Sequence, residues 1–127
     1  MTIERFMVPG EPLPFSHYCH AVKAGAHVYL SGAVGIAADG SIPAGTVEQF
    51  DLALRSVDQC LRYAGGRPEH IVKVTVYMTR IGERALINPL RQAYFGPHRP
   101  ASTLVEVSAL VDPRLSVEVE AVAVLPD

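Results

Sequence analysis

Apolar and polar residues alternate along the last part of the chain. Two segments there, 100–110 and 117–124, are rich in β-branched residues and are separated by a short turn. This pattern is typical of two strands. Glu118 and Glu120 are two residues apart in the second segment, so both side chains point to the same face of a sheet. Two carboxylates on one strand face are either solvated or functional.

Helical periodicity marks two other regions. From Thr46 onward, apolar residues recur every three or four positions, which predicts an amphipathic helix. Thr46 and Gln49 match a capping box at its start, and Gly65-Gly66 is expected to end it. A second helix is predicted at about 84–95, where apolar residues again recur on one side.

Four further strands are predicted from short apolar and β-branched runs that are bounded by glycine and proline. They cover residues 3–8, 18–24, 27–34 and 70–78. The last run alternates regularly, and one of its faces is predicted to consist of Val72, Val74, Val76 and Met78.

Six strands and two helices in this order predict an α+β domain with both helices on one face of a mixed sheet. The 127 residues suit one domain, residues 1–127, with one hydrophobic core. No internal repeat and no linker is visible in the sequence. Because the chain is short, nothing is left to cover the second face of the sheet. We therefore expect self-association to bury that face.

Composition and charge exclude several classes of partner. The net charge is −2 and the basic residues are scattered, so neither nucleic acid nor a membrane surface is an expected partner. No apolar run approaches the ~18 residues of a membrane-spanning helix. The N-terminal residues lack the apolar region of a secretory signal, and the two cysteines are expected to be free thiols. These features indicate a cytoplasmic protein.

The C-terminal motifs resemble a known family. Pro100-Ala101, then Ser108-Ala109-Leu110, a six-residue gap and Val117-Glu118-Val119-Glu120 look like the signature of the YjgF/YER057c/UK114 family, also called the Rid (reactive intermediate deaminase) family. Weaker matches extend the resemblance over nearly the whole chain. They are the segments 18–22, Ser31-Gly32, the helix ending in Ala64-Gly65, and 71–77.

The resemblance implies a chorismate-mutase-like α+β fold with a six-stranded sheet. It also implies a homotrimer in which the sheets form a barrel-like core and three clefts lie between subunits. The implied activity is hydrolysis of a small imine or enamine, with no cofactor and no metal. Glu118 occupies the position of the family's carboxylate, which positions or activates a water molecule.

One position departs from the family pattern. Members with imine deaminase activity have Arg directly after Pro-Ala, where it is expected to clamp the substrate carboxylate, and this chain has Ser102. A hydroxyl is neutral and short, so we expect little or no activity on 2-aminoacrylate. Arg114, in the turn before Glu118, is the favoured replacement cation. Arg99 is less favoured because it is three residues from Ser102 in an extended segment and points to the opposite face.

Four other residues are candidates for substrate binding. Tyr18 matches a residue that lines the family's cleft, and His20 is predicted to share its strand face. Gly32 is a candidate backbone N–H donor, and Asn88 either caps its helix or reaches the cleft. Each has a purely structural alternative. The histidines and cysteines lack the spacing of a metal site.

The sequence thus predicts cofactor-free deamination of a small imine, enamine or related unsaturated amino compound. Two alternatives remain open at this point. One is a trimer that binds a small molecule or a partner protein without turnover, which the loss of the Arg favours. The other is a different reaction, such as isomerisation or dehydration, in the same cleft.

Overall fold

A computed structural model describes all residues, 1–127. Six strands and two α-helices make up the fold, with short 3-10 helices at Pro68–His70 and Ile81–Ile87. The strands are β1 (Ile3–Phe6), β2 (Ala21–Ala24), β3 (His27–Val34), β4 (Ile71–Met78), β5 (Ala101–Glu106) and β6 (Val117–Val124). The helices are α1 (Thr46–Tyr63) and α2 (Asn88–Phe95).

All six strands form one mixed sheet in the order β1-β2-β3-β6-β4-β5. β4 and β5 run parallel, and all other neighbouring strands run antiparallel. Alternate residues of β6 are buried against α1; they are Val117, Val119, Ala121 and Ala123. The predicted α+β fold, a mixed six-stranded sheet with two helices, is confirmed.

The start of α1 differs from the prediction. Gly45 is the N-cap residue, Thr46 is already helical, and no side chain caps the helix. The Gln49 side chain is fully buried instead. Its Nε2 donates to the Arg114 carbonyl at 2.9 Å and its Oε1 accepts from the Ser116 N–H at 2.8 Å. The capping-box prediction is wrong because this amide ties α1 to the segment before β6 and does not serve its own helix end.

The predicted facing of β4 is wrong at one residue. Val74, Val76 and Met78 are buried as expected, but Val72 is 47% exposed and Ile71 is buried in its place. The pairing of β4 with β6 shifts its register across Val72. A bulge of this kind adds one residue to a strand and reverses the facing of the residues before it.

Three element boundaries also move. β2 begins at Ala21, not at residue 18, so Tyr18 and His20 lie in the loop before it. The predicted helix at 84–95 is a 3-10 helix followed by α2. Pro89, at the start of α2, has no N–H to continue the preceding turn. β5 ends at Glu106, four residues before the predicted end at residue 110.

The sheet face opposite the helices has no covering element. Partly buried and exposed side chains of its central strands lie there, among them Tyr29, Thr75, Tyr77, Glu118 and Glu120. This is the face for which the sequence predicts self-association, and the trimer stays a prediction.

Candidate active site

Glu118 lies on the open sheet face, near the start of the central strand β6. Its neighbours in sequence, Val117 and Val119, are buried on the opposite face, so strand alternation alone directs the carboxylate outward. The side chain is about half-buried, and this burial raises the pKa of its carboxyl group. The negative charge of Glu120 raises the pKa further. Glu118 is therefore a stronger proton acceptor than a solvated glutamate.

Gly32 makes room for this carboxylate. It lies in β3, at the point where the pairing with β6 shifts register between Leu30 and Ala33. A Cβ atom at position 32 would overlap the carboxylate of Glu118. Position 32 therefore has to be glycine if Glu118 is to keep its place. Gly32, predicted from a strand end, and Glu118, predicted from a strand face, therefore lie against each other in the structure.

Tyr77 and Glu120 support Glu118 from the same face. Tyr77 is the cross-strand partner of Glu118 on β4, and its hydroxyl donates to Glu120 Oε1 at 2.6 Å. This hydrogen bond is the main reason that the pKa of Tyr77 is raised. The bond holds Glu120 in a fixed position, from which its charge acts on Glu118.

A narrow cavity of about 60 Å³ lies between β3, α1 and the 11–15 segment. Tyr18, His20 and Gly32 line it, so Gly32 is the residue that lies next to both this cavity and Glu118. The His20 ring is fully occupied by the backbone. Its Nδ1 accepts from the Val8 N–H, and its Nε2 contacts the Pro12 carbonyl, both at 2.8 Å. Since Nδ1 is the acceptor, Nε2 is the ring nitrogen that donates to the Pro12 carbonyl.

Tyr18 is the more open of the two predicted side chains in this cavity. It is 43% exposed, and its hydroxyl accepts from the Phe15 N–H at 3.2 Å. The aromatic ring therefore borders the cavity while its hydroxyl faces the loop. In contrast, the His20 ring holds the segment after β1 through Val8 and Pro12 and presents no free ring nitrogen.

Ser102 and Asn88 belong to a second group, at the β5 edge of the sheet. Asn88 lines an open recess of about 430 Å³, which is bordered by α2 and by the segment that leads into β5. Arg91 and Arg99 line the same recess. Arg91 Nη2 donates to Ser102 Oγ at 2.6 Å. Sequence reasoning missed Arg91 because no local pattern connects a residue of α2 with a residue of β5.

Arg114, the favoured replacement cation, lies outside both groups. Its guanidinium binds the Asp112 carboxylate through Nε at 3.0 Å and Nη2 at 2.9 Å. These hydrogen bonds lower the pKa of Asp112 to about 2. The pair is local to the turn before β6, and the structure does not bring Arg114 to Glu118 or to Ser102.

The two groups lie on opposite faces of one sheet. Ser102 shares a strand face with Leu104, which packs against the core beneath the helices. Glu118 points to the open face. Because the sheet lies between them, one small molecule cannot contact both Glu118 and Ser102 of the same chain. A site that uses both needs them from two different copies of the chain.

The structure contains no group of three or more His, Cys, Asp and Glu side chains placed to hold a metal ion. None of its helices is long and apolar enough to cross a bilayer.

Comparison with known proteins places the chain. The model of the family described as "Endoribonuclease L-PSP" matches residues 9–125. The 2-iminobutanoate/2-iminopropanoate deaminase of Mus musculus is 34% identical over 116 residues, which cover 89% of this chain and 84% of the mouse protein. The chain belongs to the YjgF/YER057c/UK114 (Rid) family. This family includes 2-iminobutanoate/2-iminopropanoate deaminases.

Other Rid-family relatives agree in sequence and structure. A RutC family protein of Aquifex aeolicus is 35% identical and covers 91% of this chain and 94% of its own length. The solved structure of the YjgF gene product of E. coli superposes with a TM-score of 0.88 at 28% identity, over 95% of this chain and 98% of that one. The Rid family and its fold, both predicted from the sequence, are confirmed.

Proposed function

We propose that this Rid-family protein hydrolyses a small imine or enamine to a carbonyl compound and ammonia, without a cofactor. The observation that carries the proposal is the placement of Glu118. Its carboxyl group is half-buried, the pKa of that group is raised, and it lies against Gly32, which also lines a cavity. Relatives that are named as imine deaminases support this reaction class.

Hydrolysis of an imine needs one group that moves a proton to and from water. Glu118 accepts a proton from a water molecule as the water oxygen attacks the imine carbon, and a C–O bond forms. The carboxyl group passes this proton to the nitrogen, which gives an amino alcohol. Glu118 then accepts the hydroxyl proton and transfers it to the nitrogen as the C–N bond breaks, so that the carbonyl forms and ammonia leaves. An enamine first takes a proton on carbon and loses one from nitrogen to become the imine.

The candidate residues form two separate groups within one chain, which supports an assembly whose sites are shared between subunits. Glu118 lies against Gly32, which lines a cavity with Tyr18, whereas Asn88 and Ser102 lie at the β5 edge of the sheet. We propose that a homotrimer brings the edge of one subunit to the open face of the next. The uncovered sheet face around Tyr77 and Glu120 would then be buried in the barrel-like core.

A second function is favoured by Ser102. A subunit without the family's Arg would bind a small ligand without accelerating its hydrolysis. In that case Glu118 would only hydrogen-bond the ligand.

The rate of imine hydrolysis separates the two functions. An amino acid dehydratase generates the imine in situ, and its decay and the release of ammonia are followed above the spontaneous rate. Glu118→Gln is expected to lose about 10²–10⁴-fold in kcat/KM, the range typical of a general acid–base group. Glu4→Gln, on the exposed strand β1, is the control and should match the wild type. If wild type and Glu118→Gln both show only the spontaneous rate, the proposed hydrolysis is contradicted and the binding function is favoured.

A further inference from the structure

The guanidinium group of Arg91 has no carboxylate partner within the chain. The structure pairs Arg114 with Asp112, and it pairs the other ion-paired arginines, Arg55, Arg62, Arg67 and Arg80, with nearby acids. Arg91 makes no such pair. Its only side-chain hydrogen bond goes to the neutral hydroxyl of Ser102. Burial of the guanidinium lowers its pKa, but an arginine stays charged at neutral pH.

The recess around Arg91 has the chemistry of an anion site. Its walls are Asn88, Arg91, Gln92, Phe95, Gly96, Arg99 and Pro100. Two of these side chains are positive, two are neutral amides, and none is acidic. A partly buried charge that lacks a partner is costly, and a carboxylate is the group that a guanidinium binds best, through two parallel hydrogen bonds.

Ser102 orients the side chain of Arg91. An arginine at position 102 would bring a second positive charge into this region, and the two charges would repel each other. A serine in that place instead accepts a hydrogen bond from Arg91 and fixes its direction. The positive charge therefore lies on α2 and the short polar side chain on β5.

We propose that Arg91, held by Ser102, is the residue of this protein that binds the carboxylate of an imine or enamine substrate. This inference rests on the proposed imine hydrolysis. It replaces two expectations from the sequence: that the protein has little or no activity on 2-aminoacrylate, and that Arg114 is the favoured replacement cation.

The two cations considered from the sequence fit this role less well. Arg114 is neutralised by Asp112 through two side-chain hydrogen bonds. Arg99 lines the recess but is exposed and makes no side-chain hydrogen bond that would orient it. Arg91 alone is both partly buried and fixed by a residue of the edge strand.

Binding of pyruvate tests the inference without any need for turnover. Pyruvate is the 2-oxo acid that hydrolysis of 2-iminopropanoate releases, and its affinity is measured by NMR titration. Arg91→Gln should weaken binding about ten- to hundred-fold, the loss expected for one charge-assisted contact. Arg91→Lys should recover part of that loss. Arg5→Gln, on the exposed strand β1, is the control and should change affinity little.

Kinetics on the carboxylate-bearing imine separate the inference from the proposed function. Arg91→Gln should raise KM more than it lowers kcat, whereas Glu118→Gln should lower kcat. The exchange variant Arg91→Ser with Ser102→Arg should restore pyruvate binding, since it returns a single guanidinium to the recess. Equal pyruvate affinity in wild type and Arg91→Gln overturns the role of Arg91 whether or not the protein is catalytic. Pyruvate binding that depends on Arg91, in a protein without turnover, contradicts only the proposed hydrolysis.

Discussion

The surroundings of Glu118 and those of Arg91 differ in almost every physical property. Glu118 sits on the central strand, close to a second carboxylate and half-buried against a glycine backbone. Arg91 sits on a short helix at the sheet edge, in an open recess without acidic walls. The first region is negative and built from regular strand pairing. The second is positive and depends on one hydrogen bond, from Arg91 to Ser102.

This contrast suggests different roles for the two residues, with proton transfer at Glu118 and anion binding at Arg91. A proton-transferring carboxylate benefits from partial dehydration, which raises its pKa toward neutrality. A group that captures an anionic substrate benefits from access to solvent. One chain keeps the two on opposite faces of its sheet, so that the acid and the cation do not neutralise each other. Assembly of copies would bring them to one ligand.

The largest disturbance of the acidic region is expected from Gly32→Ala. The added Cβ overlaps the Glu118 carboxylate, so the Glu118 side chain must move to another position. Activity should fall about as far as in Glu118→Gln, by roughly 10²–10⁴-fold in kcat/KM. The measurement is imine hydrolysis by variants that retain their circular dichroism spectrum.

Gly82→Ala is the matched control, because nothing lies near a Cβ at that position and its backbone conformation is ordinary. It should keep wild-type activity. A Gly32→Ala variant with unchanged kcat/KM would show that the position of the Glu118 side chain against Gly32 is irrelevant to catalysis.

A smaller effect is expected from Glu120→Gln, visible in the pH dependence of kcat/KM. Burial and then the charge of Glu120 raise the pKa of Glu118. Removing that charge lowers the pKa of Glu118, while burial keeps it above its ordinary value. Because the reaction needs the ionised carboxylate, the acidic limb of the profile should move to lower pH.

The amide oxygen of Gln still accepts the hydrogen bond from Tyr77, which limits the change to the charge. The activity on the plateau should therefore stay close to that of the wild type. An acidic limb that stays in place, or that moves to higher pH, would mean that Glu118 is not the group that titrates.

Features that neighbouring residues determine are predictable from the sequence, whereas contacts between distant segments are not. Alternation along 117–124 is enough to place β6 and to point Glu118 and Glu120 to one face. Val72 breaks the same kind of pattern because its facing depends on the register with β6. Gln49 resembles a cap residue, but its amide bonds Ser116, 67 positions away.

The candidate site follows the same rule. Glu118 is identifiable because a family motif and a strand pattern coincide on it. Arg91 is not, since its contact with Ser102 depends on how α2 packs beside β5. His20 falls between these cases. Its position is predicted, but both of its ring nitrogens are used by the backbone, and only the folded loop reveals this.

Mixing of two defective subunits tests the shared site most directly. Glu118→Gln and Arg91→Gln chains are co-refolded in equal amounts, and hydrolysis of the carboxylate-bearing imine is measured at low substrate concentration. If each site takes Glu118 from one copy and Arg91 from the next, random mixing leaves about a quarter of the interfaces intact, with that share of wild-type activity. No recovery above the separate variants, or a monomer by light scattering, would contradict a site shared between copies.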